Sequence, residues 1–107
     1  MNAWIYLSLA IGLEILGTFF LKLSNGFEKW HLGMLSILFY SLCFWALSPA
    51  LRDLPVGVVY AIWAGVGIIG ASAIGVFYFG DRLALLQYGF IVMIMAGAVG
   101  LKLTTQA

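Results

Sequence analysis

The sequence predicts an all-α membrane protein with four transmembrane helices per chain, forming a single domain over residues 1–107. Of these residues, 64% are apolar and only 8% are charged, which lies outside the range of soluble domains. Apolar segments recur along the whole chain, at roughly residues 3–21, 32–47, 58–79 and 85–103. Because a helix needs about 20 residues to cross the hydrocarbon core, each segment can span the membrane, the second only just.

The connections between these segments are short and contain residues typical of turns. Asn25-Gly26 lies in the first connection, two prolines lie in the second, and Gly80-Asp81 lies in the third. This leaves no room for a soluble catalytic domain, so the protein must act within the bilayer. The sequence contains no nucleophile–base pair, phosphate-binding loop, basic nucleic-acid patch or set of residues at metal-ligand spacing. We therefore expect no enzymatic activity, no cofactor, no metal and no nucleic-acid partner.

The first segment contains an acid where hydrocarbon surrounds the helix. From Leu9 to Leu21 every residue is apolar or small except Glu14 and Thr18, and a charge near the centre of a span costs about 3 kcal/mol on insertion scales. Hydrocarbon disfavours the carboxylate anion, so Glu14 should carry a proton that a bound cation could displace. No basic residue lies at that depth to pair with it, which favours proton or cation exchange. The alternative is a neutral Glu14 that only hydrogen-bonds a neighbouring helix.

Helical spacing predicts which side chains surround Glu14. Its face of the first helix also carries Leu7, Ala10, Ile11, Gly17, Thr18 and Leu21. Ala10, Gly17 and Thr18 are small, and they leave room beside the carboxyl group.

Aromatic residues recur on single faces of the next two helices. The second helix carries Tyr40, Cys43, Phe44 and Leu47 on one face, and the third carries Tyr60 and Trp63. Aromatic rings attract organic cations, and a tyrosine hydroxyl can hydrogen-bond a carboxylate. Together with Glu14 they would form an aromatic, anionic pocket; the alternative is ordinary packing or interfacial placement.

The third segment contains "GVGIIG", from Gly65 to Gly70, which formally matches a dinucleotide-binding fingerprint. No strand precedes it, and it lies inside an apolar span, so we reject that interpretation. Glycines inside a span permit bending, and we expect Gly65 and Gly67 to allow the third helix to kink. Gly67, Ala71 and Gly75 also form a small-residue stripe suited to close helix packing, and both interpretations can hold.

The fourth segment has no charge before Lys102 and contains Gly89, Gly97 and Gly100. It carries no acid and no aromatic pocket. We therefore assign it to helix packing or dimerisation, with Gly89 and Gly97 as the predicted dimer contacts.

The basic residues show almost no bias between the two sides of the membrane. Four spans place Arg52 and Lys102 on the side of the N-terminus, and Lys22, Lys29 and Arg82 on the other. Because such a bias sets orientation, this chain could insert both ways and form an antiparallel dimer. That dimer would be an inverted repeat assembled from two chains. The alternative is that one or two charges still set a single orientation.

The sequence resembles the small multidrug resistance transporters over nearly its whole length. The motif "YAIWAGVGI" follows "LPVG", and an acid lies midway through the first span. The similarity is greatest to the quaternary-ammonium (multidrug) branch, because the guanidinium branch typically has Gly, Trp and Ala where Ile11, Gly17 and Thr18 stand here. Two positions depart from the multidrug branch: Cys43 replaces a small or hydroxyl residue, and Phe90 replaces a glycine.

The resemblance implies a multi-pass protein of the bacterial inner membrane that forms an antiparallel, dual-topology homodimer. It implies proton-coupled export of lipophilic, aromatic and quaternary ammonium cations by alternating access, with proton and cation competing for Glu14. It also implies a kink at Gly65 and Gly67, a dimer contact at Gly97, and a pocket lined by Ala10, Ile11, Gly17, Thr18, Tyr40, Phe44, Leu47, Tyr60 and Trp63. The alternatives are guanidinium or polyamine export within the same family, or a structural membrane subunit that transports nothing.

Overall fold

The computed structural model describes residues 2–105, which form four long helices joined by short connections. The helices are α1 (Ala3–Leu23), α2 (Trp30–Asp53), α3 (Val56–Phe77) and α4 (Leu85–Thr104). Each is long and apolar enough to cross a membrane. The predicted all-α class with four candidate spans is therefore confirmed.

The second helix differs most from the apolar segment that the sequence predicts. That segment ended at Leu47, whereas α2 continues through Pro49 to Asp53. Hydropathy marks the part of a helix that suits hydrocarbon, but backbone hydrogen bonding continues into the polar turn beyond it. The helix stops where Leu54 adopts an extended conformation (φ −121°, ψ 156°). This is the conformation expected of a residue that precedes a proline, here Pro55.

Helix α1 lies at the centre of the chain, because it packs against both α2 and α3. Close approach of α1 and α2 depends on Gly17, where a Cβ atom would lie 3.3 Å from both the Ser36 carbonyl oxygen and the Tyr40 ring. Among the described helices, the α4 backbone packs on α3 alone, and a side-chain contact with α1 places the Lys102 ammonium 4.9 Å from the centroid of the Trp4 ring. In the described part of the chain, Ala98 is the only buried residue of α4. Most of the fourth helix therefore lies uncovered.

The connection between α1 and α2 is a tight left-handed turn. Asn25, Gly26 and Phe27 all have positive φ angles, of 51°, 68° and 69°. The Ser24 hydroxyl accepts a hydrogen bond from the Phe27 backbone N–H at 3.2 Å. This turn places the Phe27 ring directly against the backbone of Gly33 in α2.

We expect Gly33→Ala to destabilise the protein by about 1–3 kcal/mol, the usual cost of overpacking. The added Cβ would lie 2.8 Å from Cζ of Phe27, and the turn prevents that rigid ring from moving away easily. Thermal unfolding of the protein in detergent micelles measures the effect. Gly12→Ala is the matched control, because within the described chain a Cβ there meets nothing within 4 Å. Equal unfolding temperatures for the two variants would contradict this packing.

Candidate functional site

Glu14 lies midway along α1, and its carboxyl group rests against the backbone of Gly67 in α3. A Cβ atom at Gly67 would lie 2.8 Å from Cδ and 2.9 Å from Oε1 of Glu14. The other oxygen, Oε2, is inaccessible to solvent and has no hydrogen-bond partner among residues 2–105. An unpaired buried oxygen is costly. A proton or a bound cation would supply the missing interaction.

Two further predicted site residues lie beside this carboxyl group. Cys43 of α2 is completely buried and lies in the neighbourhood of Glu14 and Trp63. The indole Nε1 of Trp63 in α3 is also buried and has no hydrogen-bond partner in the described part of the chain. The thiol of Cys43 would be only a weak hydrogen-bond acceptor for it. Side chains from α1, α2 and α3 thus converge around two unpartnered polar atoms.

The predicted aromatic residues meet at the same place. The ring centroid of Trp63 lies 5.6 Å from that of Tyr60, edge to face, and 6.2 Å from that of Phe44 on α2. Tyr60 is 63% exposed and Phe44 is 57% exposed. One side of the aromatic cluster is therefore open in the single chain, where another surface can cover it.

Tyr40 makes a contact that the sequence pattern did not specify. Its hydroxyl lies 2.6 Å from Oγ1 of Thr18, one turn beyond Glu14 on α1. The two hydroxyl groups form a hydrogen bond across the α1–α2 interface, beside the close approach of the helices at Gly17. A hydroxyl pair at this position can orient α1 relative to α2 near the carboxyl group.

Comparison with known proteins shows the family of this chain. The family model described as Small Multidrug Resistance protein matches residues 2–104. The chain belongs to the small multidrug resistance family. Members of this family are transporters, so the prediction that the chain is not an enzyme is confirmed, and so is its placement as a multi-pass membrane protein.

Several relatives match this small multidrug resistance protein over nearly their whole length. It is 37% identical over 107 residues to the multidrug transporter EmrE of Escherichia coli (strain K12), covering 100% of this chain and 97% of the relative. It is 38% identical to the quaternary ammonium compound-resistance protein QacE of Escherichia coli, with 100% and 97% covered. It is 35% identical to QacC, a protein of the same description from Staphylococcus aureus, with 94% of each chain covered.

Six of the predicted pocket residues are buried inside the single chain. Gly17 and Cys43 are two of them, and the other four lie in the apolar core between α1 and the helices that surround it: Leu7, Ala10, Ile11 and Leu47. Their positions fit the inner wall of a pocket around Glu14, and their role as lining residues stays a prediction.

The two glycines predicted as a kink lie in a continuous helix and serve two different contacts. A Cβ at Gly65 would lie 3.1 Å from Cγ2 of Ile94 and 3.8 Å from Cβ of Ala98, so Gly65 faces α4. Gly67 instead makes space for Glu14. The contact between Gly67 and the Glu14 carboxyl group was not predicted from the sequence. Gly67 lies one turn after Trp63 and therefore shares its helical face. The kink itself stays a prediction.

Gly89 and Gly97 lie on the uncovered part of α4 in this small multidrug resistance protein. Within the described chain, a Cβ at either position would meet nothing within 4 Å. The surface is free for close packing by another helix, and the dimer contact stays a prediction.

Proposed function

We propose that this protein exports lipophilic, aromatic and quaternary ammonium cations in exchange for protons, which compete with the cation for Glu14. One observation carries the proposal: the Glu14 carboxyl group lies where three helices meet, with a buried oxygen that has no partner in the described chain. The names of two relatives, which describe resistance to quaternary ammonium compounds, support the class of substrate.

The competition follows from electrostatics at this depth. A bare carboxylate in a medium of low dielectric constant is unfavourable, so Glu14 is occupied either by a proton or by a cation. The attraction between carboxylate and cation is stronger there than in water. The rings of Trp63 and Tyr60, which lie edge to face, add cation–π attraction of about 0.5–2 kcal/mol.

We infer that two chains assemble as an antiparallel homodimer in the inner membrane. The near balance of two basic residues against three supports dual insertion. The open faces of Tyr60 and Phe44 and the uncovered α4 support a second chain as the missing wall. Such a pair forms an inverted repeat whose shared site opens alternately to either side, exchanging protons for the cation. In an antiparallel dimer, a tag at the C-terminal end should be accessible to a membrane-impermeant reagent from both sides of the membrane. Accessibility from one side only would contradict this arrangement.

A pH-dependent binding titration tests the proposal. The purified wild-type protein should bind tetraphenylphosphonium more tightly as pH rises, because at low pH the cation must first displace protons from Glu14. Where Glu14 is protonated, Kd should fall by up to about tenfold per pH unit for each proton displaced.

The same titration tests the dimer and the substrate class. Saturation at one cation per two chains is expected, whereas one cation per chain would contradict a shared site. An affinity that does not change with pH would contradict proton competition. Guanidinium in excess should displace little tetraphenylphosphonium, and tight guanidinium binding would instead favour guanidinium export.

A further inference from the structure

A cavity lies at the end of the bundle where α1 ends, outside the Glu14 site. Its volume is about 160 Å³. It lies between α1, α3 and the connection that follows α3. The lining residues that matter here are Thr18 and Lys22 of α1, Ala71 and Gly75 of α3, and Phe79 and Asp81 of the connection.

Asp81 folds back over the end of α3 and brings a carboxylate to this cavity. Its backbone N–H donates a hydrogen bond of 2.8 Å to the Gly75 carbonyl oxygen. Its Oδ2 lies so close to Gly75 that a Cβ there would be only 2.5 Å away. No ion pair or side-chain hydrogen bond engages this carboxylate among residues 2–105. Within the described chain the Asp81 carboxylate therefore lacks a direct ion-pair partner, although the ammonium group of Lys22 lines the same cavity.

An aromatic ring beside this carboxylate already holds a cation. The ammonium group of Lys22 lies 5.8 Å from the centroid of the Phe79 ring, and Phe19 packs against the same ring with centroids 5.7 Å apart. The contact between Lys22 and Phe79 shows that this ring face accepts a positive charge. The cavity thus combines a carboxylate with an aromatic ring, the same two groups that the candidate site at Glu14 contains.

A groove of small residues on α3 joins the two places. The Glu14 carboxyl group packs against Gly67, and the Asp81 carboxylate packs against Gly75. The two glycines lie about 12 Å apart along the helix. Ala71 lies between them and lines the cavity, opposite Thr18 on α1. On this face of α3, Gly67, Ala71 and Gly75 carry no side chain larger than a methyl group, while Ile74 of α3 lines another side of the cavity.

We propose that this cavity is an outer binding site for the exported organic cation. Asp81 and Phe79 bind the cation at the membrane surface before it passes Thr18 to reach Glu14. While no cation is bound, the ammonium group of Lys22 contacts the face of the Phe79 ring. The inference rests on the proposed function, since it requires a cation that exchanges at Glu14. An outer site on the route changes how fast the cation enters and leaves the inner site without changing how tightly that site holds it.

Rapid-mixing tryptophan fluorescence with tetraphenylphosphonium tests the outer site in the full-length protein at low ionic strength. Asp81→Asn should lower the association and dissociation rate constants together, each by roughly threefold, and leave the equilibrium Kd unchanged. Lys22→Met, which removes the competing charge, should raise both rate constants. High salt should remove the difference between Asp81→Asn and wild type, because exposed charges are then screened.

Two control variants make the test specific. Asp81→Glu keeps the charge and should restore wild-type rates. Glu28→Gln removes an acid at the same end of the bundle but outside the cavity, where Glu28 accepts a hydrogen bond from Asn25, and it should leave the rates unchanged.

The outcomes separate the outer site from the proposed function. Wild-type rates in Asp81→Asn, or a change in only one of the two rate constants that therefore changes Kd, would overturn the outer site while leaving pH-dependent binding at Glu14 intact. Loss of that pH dependence in the wild-type protein would overturn the proposed function instead.

Discussion

Glu14→Gln is expected to abolish proton-coupled export and to weaken tetraphenylphosphonium binding by at least about a hundredfold, or about 2.7 kcal/mol. The amide has nearly the same shape as the carboxyl group, so packing against Gly67 is retained. It can neither attract a cation by its charge nor release a proton. In a medium of low dielectric constant that attraction has no substitute. Export measured in inside-out vesicles and binding measured by equilibrium titration check the two effects separately.

The matched control for this change is Glu14→Asp, which keeps the acid but shortens its reach by one methylene. Binding by this variant should be weaker than in wild type but should still strengthen as pH rises. Proton-coupled export that survives Glu14→Gln would contradict the proposed mechanism. It would leave Glu14 with a structural role only.

Gly67→Ala is expected to weaken cation binding by more than about tenfold, or 1.4 kcal/mol. The new Cβ would lie 2.8 Å from the Glu14 carboxyl carbon, so either the carboxyl group or the α1–α3 spacing must change. Overpacking of this kind also costs about 1–3 kcal/mol of stability. Binding titration and thermal unfolding of the same preparation separate the loss of affinity from the loss of stability.

Gly57→Ala serves as the control on the same helix. Gly57 is exposed, and in the described chain a Cβ there meets nothing within 4 Å, so binding should stay at the wild-type level. Equal affinities for Gly67→Ala and Gly57→Ala would contradict the position of Glu14 against Gly67.

Much of the candidate site can be predicted from the sequence pattern within each single helix. An acid inside a 13-residue apolar stretch is costly enough to predict a functional role for Glu14. Helical periodicity placed Phe44 on one face of α2 and Tyr60 and Trp63 on one face of α3, and the structure brings the three rings together. Periodicity could not show that the Tyr40 hydroxyl pairs with Thr18, because that depends on the rotation of α2 relative to α1.

The sequence by itself determined the number of helices, their apolar character and the acid at their centre. Hydrophobic length and the cost of burying charge act on each segment separately. Only the tertiary structure decided that Gly67 seats Glu14 and that Asp81 folds back over Gly75. Those contacts depend on the depth and rotation at which neighbouring helices pack. Close packing of small residues sets both quantities, and no single segment encodes them alone.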